Sequence, residues 1–423
     1  MDLKLLREQS YQTLLDLSSK EGIYASSRNE AYGCLFGRDS AITILKILRI
    51  YQRWPETKLL EISRKGLQAL LGTQGREFNI ESGEEPGKFI HEFRKTNYER
   101  LVNRDLPWYV YEDGILRNYD SIDSTPLTLI ALYQYWKITK DHHFLLSSLS
   151  AVEKGLNWII TFGDKDKDLF LEYEFAKERR FGGLKVQSWT DSAECLKKDD
   201  GSFPEYPIAA VEVQAFAWLA LKSWGEFYNH NNQVFGNKLL SQASEMKKAF
   251  NKQFVFYDGN FYFAAQALDG EKKQIKTVTL NPLLALWATY QTEHTKEAII
   301  EETYLEDFVK RSFQKDLFDP DAGMRTMSTT SATYNSRNNS YHNGSFWPMA
   351  NGLITNGLEI WGKRDYAEKL KESSLKPVQH FACPIELYTK NENGELCEYL
   401  SDTGKRGCRF QAWTAATILD WLI

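Results

Sequence analysis

Apolar residues recur along this chain with a period near 3.6, broken by polar segments of very unequal length. The period and its flanking caps predict about twelve helices, near 3–20, 37–54, 57–74, 124–140, 143–162, 207–229, 236–253, 279–290, 296–313, 343–361, 363–376 and 408–422. Strand-like runs are short and local. The run 254–266, around Asp258-Gly259, reads as a β-hairpin. The links alternate in length. Trp54-Pro55-Glu56 joins the second helix to the third, Asp141-His142 separates the fourth from the fifth, and Trp361-Gly362 joins the tenth to the eleventh. Links from odd to even helices run to about 16, 49, 44, 25, 29 and 31 residues, and long structureless links in a compact domain usually carry function.

Helices joined this way form antiparallel hairpins whose long links all lie at one end. The expected fold class is all-α, an (α/α)6 toroid with long loops and small β-hairpins on one rim, even helices inside and odd helices outside. Helix polarity agrees. Segments 208–224 and 344–360 are apolar on nearly every face, whereas 237–250 keeps Lys238, Glu245, Lys247 and Lys248 toward water. No Pro/Gly/Ser-rich linker divides the chain, so a single domain over 1–423 is expected, large for one core. A two-domain helical bundle is the competing architecture.

Composition narrows the function. Hydrophobic content of 42% and charged content of 26% are those of a soluble globular protein. The net charge of −5, with both signs interspersed, leaves no basic face and argues against a nucleic-acid partner. Five widely spaced cysteines, no C-x-x-C and an amphipathic rather than leader-like start point to reduced thiols in the cytoplasm. The longest apolar-rich stretch, 208–221, is too short to cross a bilayer and contains Glu212 and Gln214. No obligate protein partner is evident. Aromatic content is high at 14%, with 12 Trp and 22 Tyr, and such rings suit flat amphipathic ligands.

Polar-aromatic motifs precede or open every even helix: FGRDS at 36–40, YDSIDS at 119–124, WTDSAE at 189–194, TLNP at 279–282, YHNGSFWP at 341–348 and CRFQAWT at 408–414. On a toroid these converge on one central hollow. The seven histidines have no metal-ligand spacing, and there is neither a phosphate loop nor a G-x-S-x-G turn, so no metal and no cofactor is expected. Carboxylates, aromatics, Arg38, Arg94 and amides remain. Glycoside hydrolysis needs little more than two carboxylates about a sugar.

Each candidate has a plainer role open to it. Asp39 follows Arg38 at a helix start and can cap or pair; Asp123 stands where an N-cap would precede Ser124. Glu92 and Arg94 can simply pair. Glu212 within an apolar helix is either structural or site-supporting. Trp347 and Trp413 suit the core as well as a sugar platform, Glu386 suits a buried ion pair, and Trp189-Thr190-Asp191 suits a turn.

The ordered motifs add a resemblance. They are Phe36-Gly37-Arg38-Asp39, Glu85-Pro86-Gly87-Lys88 with His91-Glu92-Phe93-Arg94, Tyr119 with Asp123-Ser124-Thr125-Pro126-Leu127, and Ser188-Trp189-Thr190-Asp191-Ser192. Pro207-Ile208-Ala209 with Glu212-Val213-Gln214, Asn281-Pro282, Tyr341-His342-Asn343-Gly344-Ser345 with Trp347-Pro348, Glu386-Leu387 and Gln411-Ala412-Trp413 follow. In this order the chain resembles the amylo-α-1,6-glucosidase module of glycogen-debranching enzymes, and more distantly inverting toroidal glucosidases such as trehalase and mannosylglycerate hydrolase.

The resemblance implies an inverting hydrolase of a terminal α-glucosidic bond, with a carbohydrate as its partner. Asp191 matches the general acid and Glu386 the general base, with Glu194 or Glu212 as other candidates for the carboxylate opposite Asp191. Phe36, Arg38, Asp39, His91, Glu92, Arg94, Asp123, Trp189, Glu194, Glu212, Gln214, His342, Asn343, Trp347, Gln411 and Trp413 are the expected substrate-binding set. Asp191 must stay protonated near neutrality, through burial or through a nearby carboxylate, with Glu194 the obvious neighbour. Two positions depart from the pattern: Ile385 stands between Pro384 and Glu386, and Met349 follows Trp347-Pro348 where a His is usual. The additional domains of debranching enzymes are absent, which points to a short oligosaccharide or small glucoside. The alternatives are a non-catalytic carbohydrate-binding toroid, a phosphorylase using Arg38 and Arg94 as an anion pocket, or an epimerase using His91 and His342.

Overall fold

The computed structural model describes residues 2–423. Its helices are α1 (Leu3–Leu17), α2 (Gly37–Arg53), α3 (Thr57–Gly72), α4 (Ser124–Thr139), α5 (His142–Thr161), α6 (Val211–Asn231), α7 (Gln233–Gln253), α8 (Leu284–Trp287), α9 (Glu302–Ser312), α10 (Pro348–Ile360), α11 (Arg364–Phe381) and α12 (Ala412–Leu422), with one further turn at Glu99–Val102. Among the described residues no helix is long and apolar enough to cross a membrane.

Six of these helices touch in a closed sequence: α2 on α4, α4 on α6, α6 on α8, α8 on α10, α10 on α12, and α12 back on α2. Helices α1, α3, α5, α7 and α11 pack outside against α12, α2, α4, α6 and α10, and α9 lies against the 3-10 turn Asn281–Leu283 that leads into α8. The patterning explains the sorting. On α7 the buried residues are Gly236, Leu239, Ala243, Met246 and Phe250, a single stripe at spacings of three and four. On α4 every residue from Ser124 to Tyr133 is buried, so no face is left for water. One contiguous apolar core runs from Leu14 to Leu419.

Inner helices α2 and α4 begin at the expected residues, whereas α6, α8, α10 and α12 begin four or five residues late because the motifs ahead of them are extended or looped. Ala209–Ala210 pairs with Ala267–Leu268 before α6 starts, and α10 starts only at Pro348, whose fixed φ and missing N–H suit a first helical position. The largest difference is at 279–290, where only Leu284–Trp287 is α-helical. Gly357 of α10 approaches so closely that a methyl placed there would stand 2.7 Å from the Trp287 nitrogen. Thr289 then turns its hydroxyl back to the Leu286 carbonyl at 2.6 Å, and the chain enters a small hairpin, Tyr290–Gln291 with Lys296–Glu297. The 254–266 run forms the expected hairpin, Val255–Tyr257 with Tyr262–Ala264.

At the end of the ring away from the motifs, Lys46 of α2 is buried. Its Nζ donates to the Gly352 carbonyl at 2.9 Å, to Asp420 Oδ2 at 3.1 Å and to the Asn356 side chain. Asp420 also pairs with Arg49 and Arg53. Burial lowers the Lys46 pKa to about 8, against the raising effect of Asp420. This network joins α2, α10 and α12, and so closes the ring with ionic contacts as well as apolar ones.

Candidate active site

At the motif end a three-stranded antiparallel sheet, Leu35–Phe36, Glu92–Arg94 and Leu116–Asn118, pairs Phe36 with Glu92 and Glu92 with Asn118. Gly37 follows Phe36, and its N–H donates to the His91 carbonyl at 2.9 Å. A methyl at Gly37 would lie 1.9 Å from the Ile90 carbonyl oxygen, so only glycine lets α2 start against this strand. That approach sets Arg38, Asp39, His91 and Glu92 around one cavity of about 250 Å³.

Arg38 ties three segments together. Its Nε donates to Asp123 Oδ2 at 2.7 Å, one Nη to the Ser188 carbonyl at 2.9 Å, and the other to Asp191 Oδ2 at 3.3 Å. Asp123 occupies the N-cap position of α4 but caps nothing with its side chain, which instead accepts from Arg38 and from the Ser121 hydroxyl.

Asp191 is on the cavity wall with its side chain 25% exposed. Burial, with a contribution from the Asp123 charge, pushes its pKa up to about 6 against the opposing pull of Arg38. The carboxylate acting on Asp191 is therefore Asp123, not the expected Glu194, which is exposed and outside the wall. His342 Nδ1 stands 4.0 Å from Asp191 Oδ1 and accepts from the Ser192 N–H at 3.3 Å, which places the imidazole proton on Nε2. Burial and Arg38 hold His342 well below its usual pKa, so it is a neutral ring.

Glu386 reaches the same cavity from the far end of the chain and is buried. Its Oε1 accepts from the Tyr341 hydroxyl at 2.6 Å and its Oε2 from the Cys408 N–H at 2.7 Å. The buried ion pair open to this residue on sequence grounds does not form among the described residues; its two donors are neutral. Burial pushes Glu386 up to about 7, partly offset by these hydrogen bonds. Asp39 is pushed up to about 8, first by burial and then by the charges of Glu386 and Asp191, against Arg38. Three carboxyls on one wall thus titrate in overlapping ranges and influence one another.

Between them is an aromatic box. Trp189 is edge-on to Trp347 at 5.7 Å and to His342 at 5.6 Å, His342 stacks on Trp347 at 4.9 Å, and Trp413 is edge-on to Trp347 at 6.0 Å. Trp189 Nε1 donates to Asn281 Oδ1 at 3.0 Å, which fixes the ring and the loop that carries Asp191. Four buried polar atoms of wall residues have no partner: His91 Nδ1, Arg100 Nε, Gln411 Oε1 and Trp413 Nε1. Unpaired buried polar groups are costly.

The remaining expected residues lie behind the wall. Arg94 pairs with Glu92, donates to the Asn97 and Ala31 carbonyls at 2.9 Å, and stacks over Phe36 at 5.7 Å. Glu92 and Phe36 are on the wall, and Arg94 supports them from behind. Gln214 braces the start of α6 through Leu171 and Ala210. Asn343 bonds within its own loop, to Thr333 and Ser340. Glu212 is fully buried in α6 with no ion-pair partner among the described residues, and burial pushes it up to about 7, partly offset by hydrogen bonding to its carboxylate, the Ser188 side chain included. Sequence reasoning did not single out Tyr32, Arg100, Leu101, Arg104, Trp108, Leu184 or Lys405, which complete the wall. They stand in the long links, where clustered Arg and Trp were the available signal.

The described residues contain one acidic group compact enough for a cation, Asp164, Asp166, Asp168 and Glu172. The Lys272 ammonium already lies among them, 2.6 Å from Asp166 and 2.7 Å from Asp168, and also pairs with Glu172.

A family model described as amylo-alpha-1,6-glucosidase matches residues 84–420. No curated protein matches the chain. Among solved structures, the GH63 mannosylglycerate hydrolase from Thermus thermophilus in complex with glucose superposes with a TM-score of 0.65 at 14% identity, over 98% of this chain and 99% of that one. An uncharacterized conserved protein from the same organism gives a TM-score of 0.62 at 13% identity, over the same shares. At such identity the likeness shows a shared helical fold.

Proposed function

The chain belongs to the amylo-alpha-1,6-glucosidase family, and on that premise we propose that it is an inverting glycoside hydrolase that cleaves a terminal α-glucosidic bond of a small glucoside or oligosaccharide. We read its closed ring of helix pairs as a single (α/α)6 toroid. The observation that carries the proposal is the pair of unlike carboxyls on one cavity wall: Asp191, partly exposed beside a guanidinium, and Glu386, buried and held by two neutral donors.

Asp191 acts as the general acid. Arg38 engages Oδ2, so Oδ1 is the oxygen that carries the proton to the leaving group. Arg38 opposes that protonation, and burial raises the pKa only to about 6, below neutrality and below that of Glu386; a bound sugar that covers the remaining exposed quarter raises it further, so the acid takes up its proton in the complex. Once the proton has left, Arg38 stabilises the carboxylate that remains. Glu386 acts as the general base. Tyr341 and the Cys408 N–H fix both of its oxygens, and its carboxylate takes a proton from the water that attacks C1 on the face opposite the leaving group. The Trp189, Trp347 and Trp413 rings pack against the sugar, and the polar wall residues His91 and Gln411 meet its hydroxyls.

Proton NMR of the first-formed product from a panel of α-glucosides tests this reading. Inversion releases the β-anomer of glucose first. Initial release of the α-anomer would exclude the mechanism.

A further inference from the structure

The cavity differs at its two ends. The deep end holds Asp39, Asp191, Glu386 and the aromatic box, all buried except for part of Asp191. The outer end is walled by Arg100, Arg104 and Lys405, of which Arg104 and Lys405 are exposed. Among the described residues none of these three forms an ion pair. The contrast with their neighbours is local: Arg406 and Arg409 both pair with Glu398, at 2.8 and 2.7 Å, while Lys405 has no carboxylate. Arg100 donates to the Ala31 carbonyl and lies over the Tyr32 ring at 5.6 Å, and its Nε is buried without a partner. Burial and the charges of Arg100 and Arg104 lower the Lys405 pKa, so the three cations act on one another with no acid between them. In a chain of net charge −5 this is an uncompensated positive mouth on an acidic, aromatic pocket.

With the reacting bond placed at Asp191 and Glu386, the outer end is the leaving-group side. The cavity, of about 250 Å³, is open to solvent on that side, so a group leaving the reacting bond passes the three cations. We propose that this side of the cavity recognises an anionic aglycone, a small carboxylate- or phosphate-bearing group linked to the glucosyl unit. The inference rests on the glycosidase reading and adds the class of substrate to it. The cations attract the charged group from solution and hold it as the bond breaks, and they make neutral glucan a poorer substrate.

The test uses matched pairs that differ in aglycone charge: α-glucosylglycerate against α-glucosylglycerol for a carboxylate, and trehalose 6-phosphate against trehalose for a phosphate. We expect the anionic member of at least one pair to have a kcat/KM at least about tenfold above its neutral partner at low ionic strength, with the ratio falling as salt screens the site. In the Arg104→Gln/Lys405→Gln double variant that ratio should collapse toward one. Which pair shows the preference identifies the anion. Turnover of neutral members at equal or higher kcat/KM overturns the inference and leaves the glycosidase reading standing. Selective calorimetric binding of the anionic glucosides with no hydrolysis of any member overturns the glycosidase reading and keeps the anion site. Neither binding nor hydrolysis overturns both. Acceleration by added inorganic phosphate would assign the cations to a co-substrate and overturn the aglycone assignment.

Discussion

Removing one hydroxyl, in Tyr341→Phe, separates the two proposed proton transfers. The Tyr341 hydroxyl donates to Glu386 Oε1 at 2.6 Å and lowers a pKa that burial otherwise raises to about 7. A hydrogen bond to a charged group contributes about 1.5–3 kcal/mol. At about 1.4 kcal/mol per unit, its loss raises the Glu386 pKa by about one to two units. A base must be deprotonated to work, so well below that pKa the rate is proportional to the deprotonated fraction. Here kcat/KM should fall by about ten- to a hundredfold. Well above the raised pKa Glu386 is ionised in both proteins, the rate follows the protonated fraction of Asp191, and the two curves should meet. This holds whichever of the two carboxyls titrates first. The assay is kcat/KM for one α-glucoside from pH 4 to pH 10 in both proteins. An equal loss at every pH, or a loss confined to the alkaline side, would refute the assignment of Glu386 as the base supported by Tyr341.

Three other outcomes follow from the same contacts. Asp191→Asn and Glu386→Gln should each lower kcat by about 10²–10⁴-fold while calorimetric sugar binding persists, and near-normal turnover in either removes that residue from the mechanism. Glu212 has its folded pKa raised from 4.5 to about 7, so its cost to the native state is absent below about pH 4.5 and complete above about pH 7; Glu212→Gln should flatten the decline of Tm between pH 5 and pH 8, and an unchanged slope would remove Glu212 as its source. Asp420→Ala leaves Lys46 buried without its ion-pair partner and should cost about 3–5 kcal/mol by urea denaturation, whereas a loss under about 1 kcal/mol would show that the network does not hold the ring closed.

Much of this protein is legible in its sequence. Helix periodicity and the alternation of short and long links are local properties, and a hairpin of helices must bury its apolar stripe wherever it stands. That is why α1 to α7 fall within a few residues of their expected positions, and why the motifs gather at one end. What a residue does within that frame depends on partners far away in the chain. Asp191 had an acidic neighbour at Glu194, but the charge that reaches it is on Asp123, brought there by Arg38. Arg94 and Gln214 stood in the right motifs, yet they turn to backbone carbonyls behind the wall. The helix expected over 279–290 is only Leu284–Trp287, and the backbone of α10 at Gly357 packs tightly on its last residues, a contact invisible to a window of local sequence.

The opposite case is the basic mouth. Arg100 and Arg104 are some 300 positions from Lys405, and each reads locally as a solvated surface cation. Ring closure sets the three on the wall of the cavity that also holds Asp191 and Glu386. Local pattern determined the helices and the chemical inventory of their rim, because backbone hydrogen bonding and apolar burial act over a few residues. Tertiary structure alone decided which carboxyls are desolvated, which are paired and which cations are left free, because those energies depend on distance in space rather than along the chain.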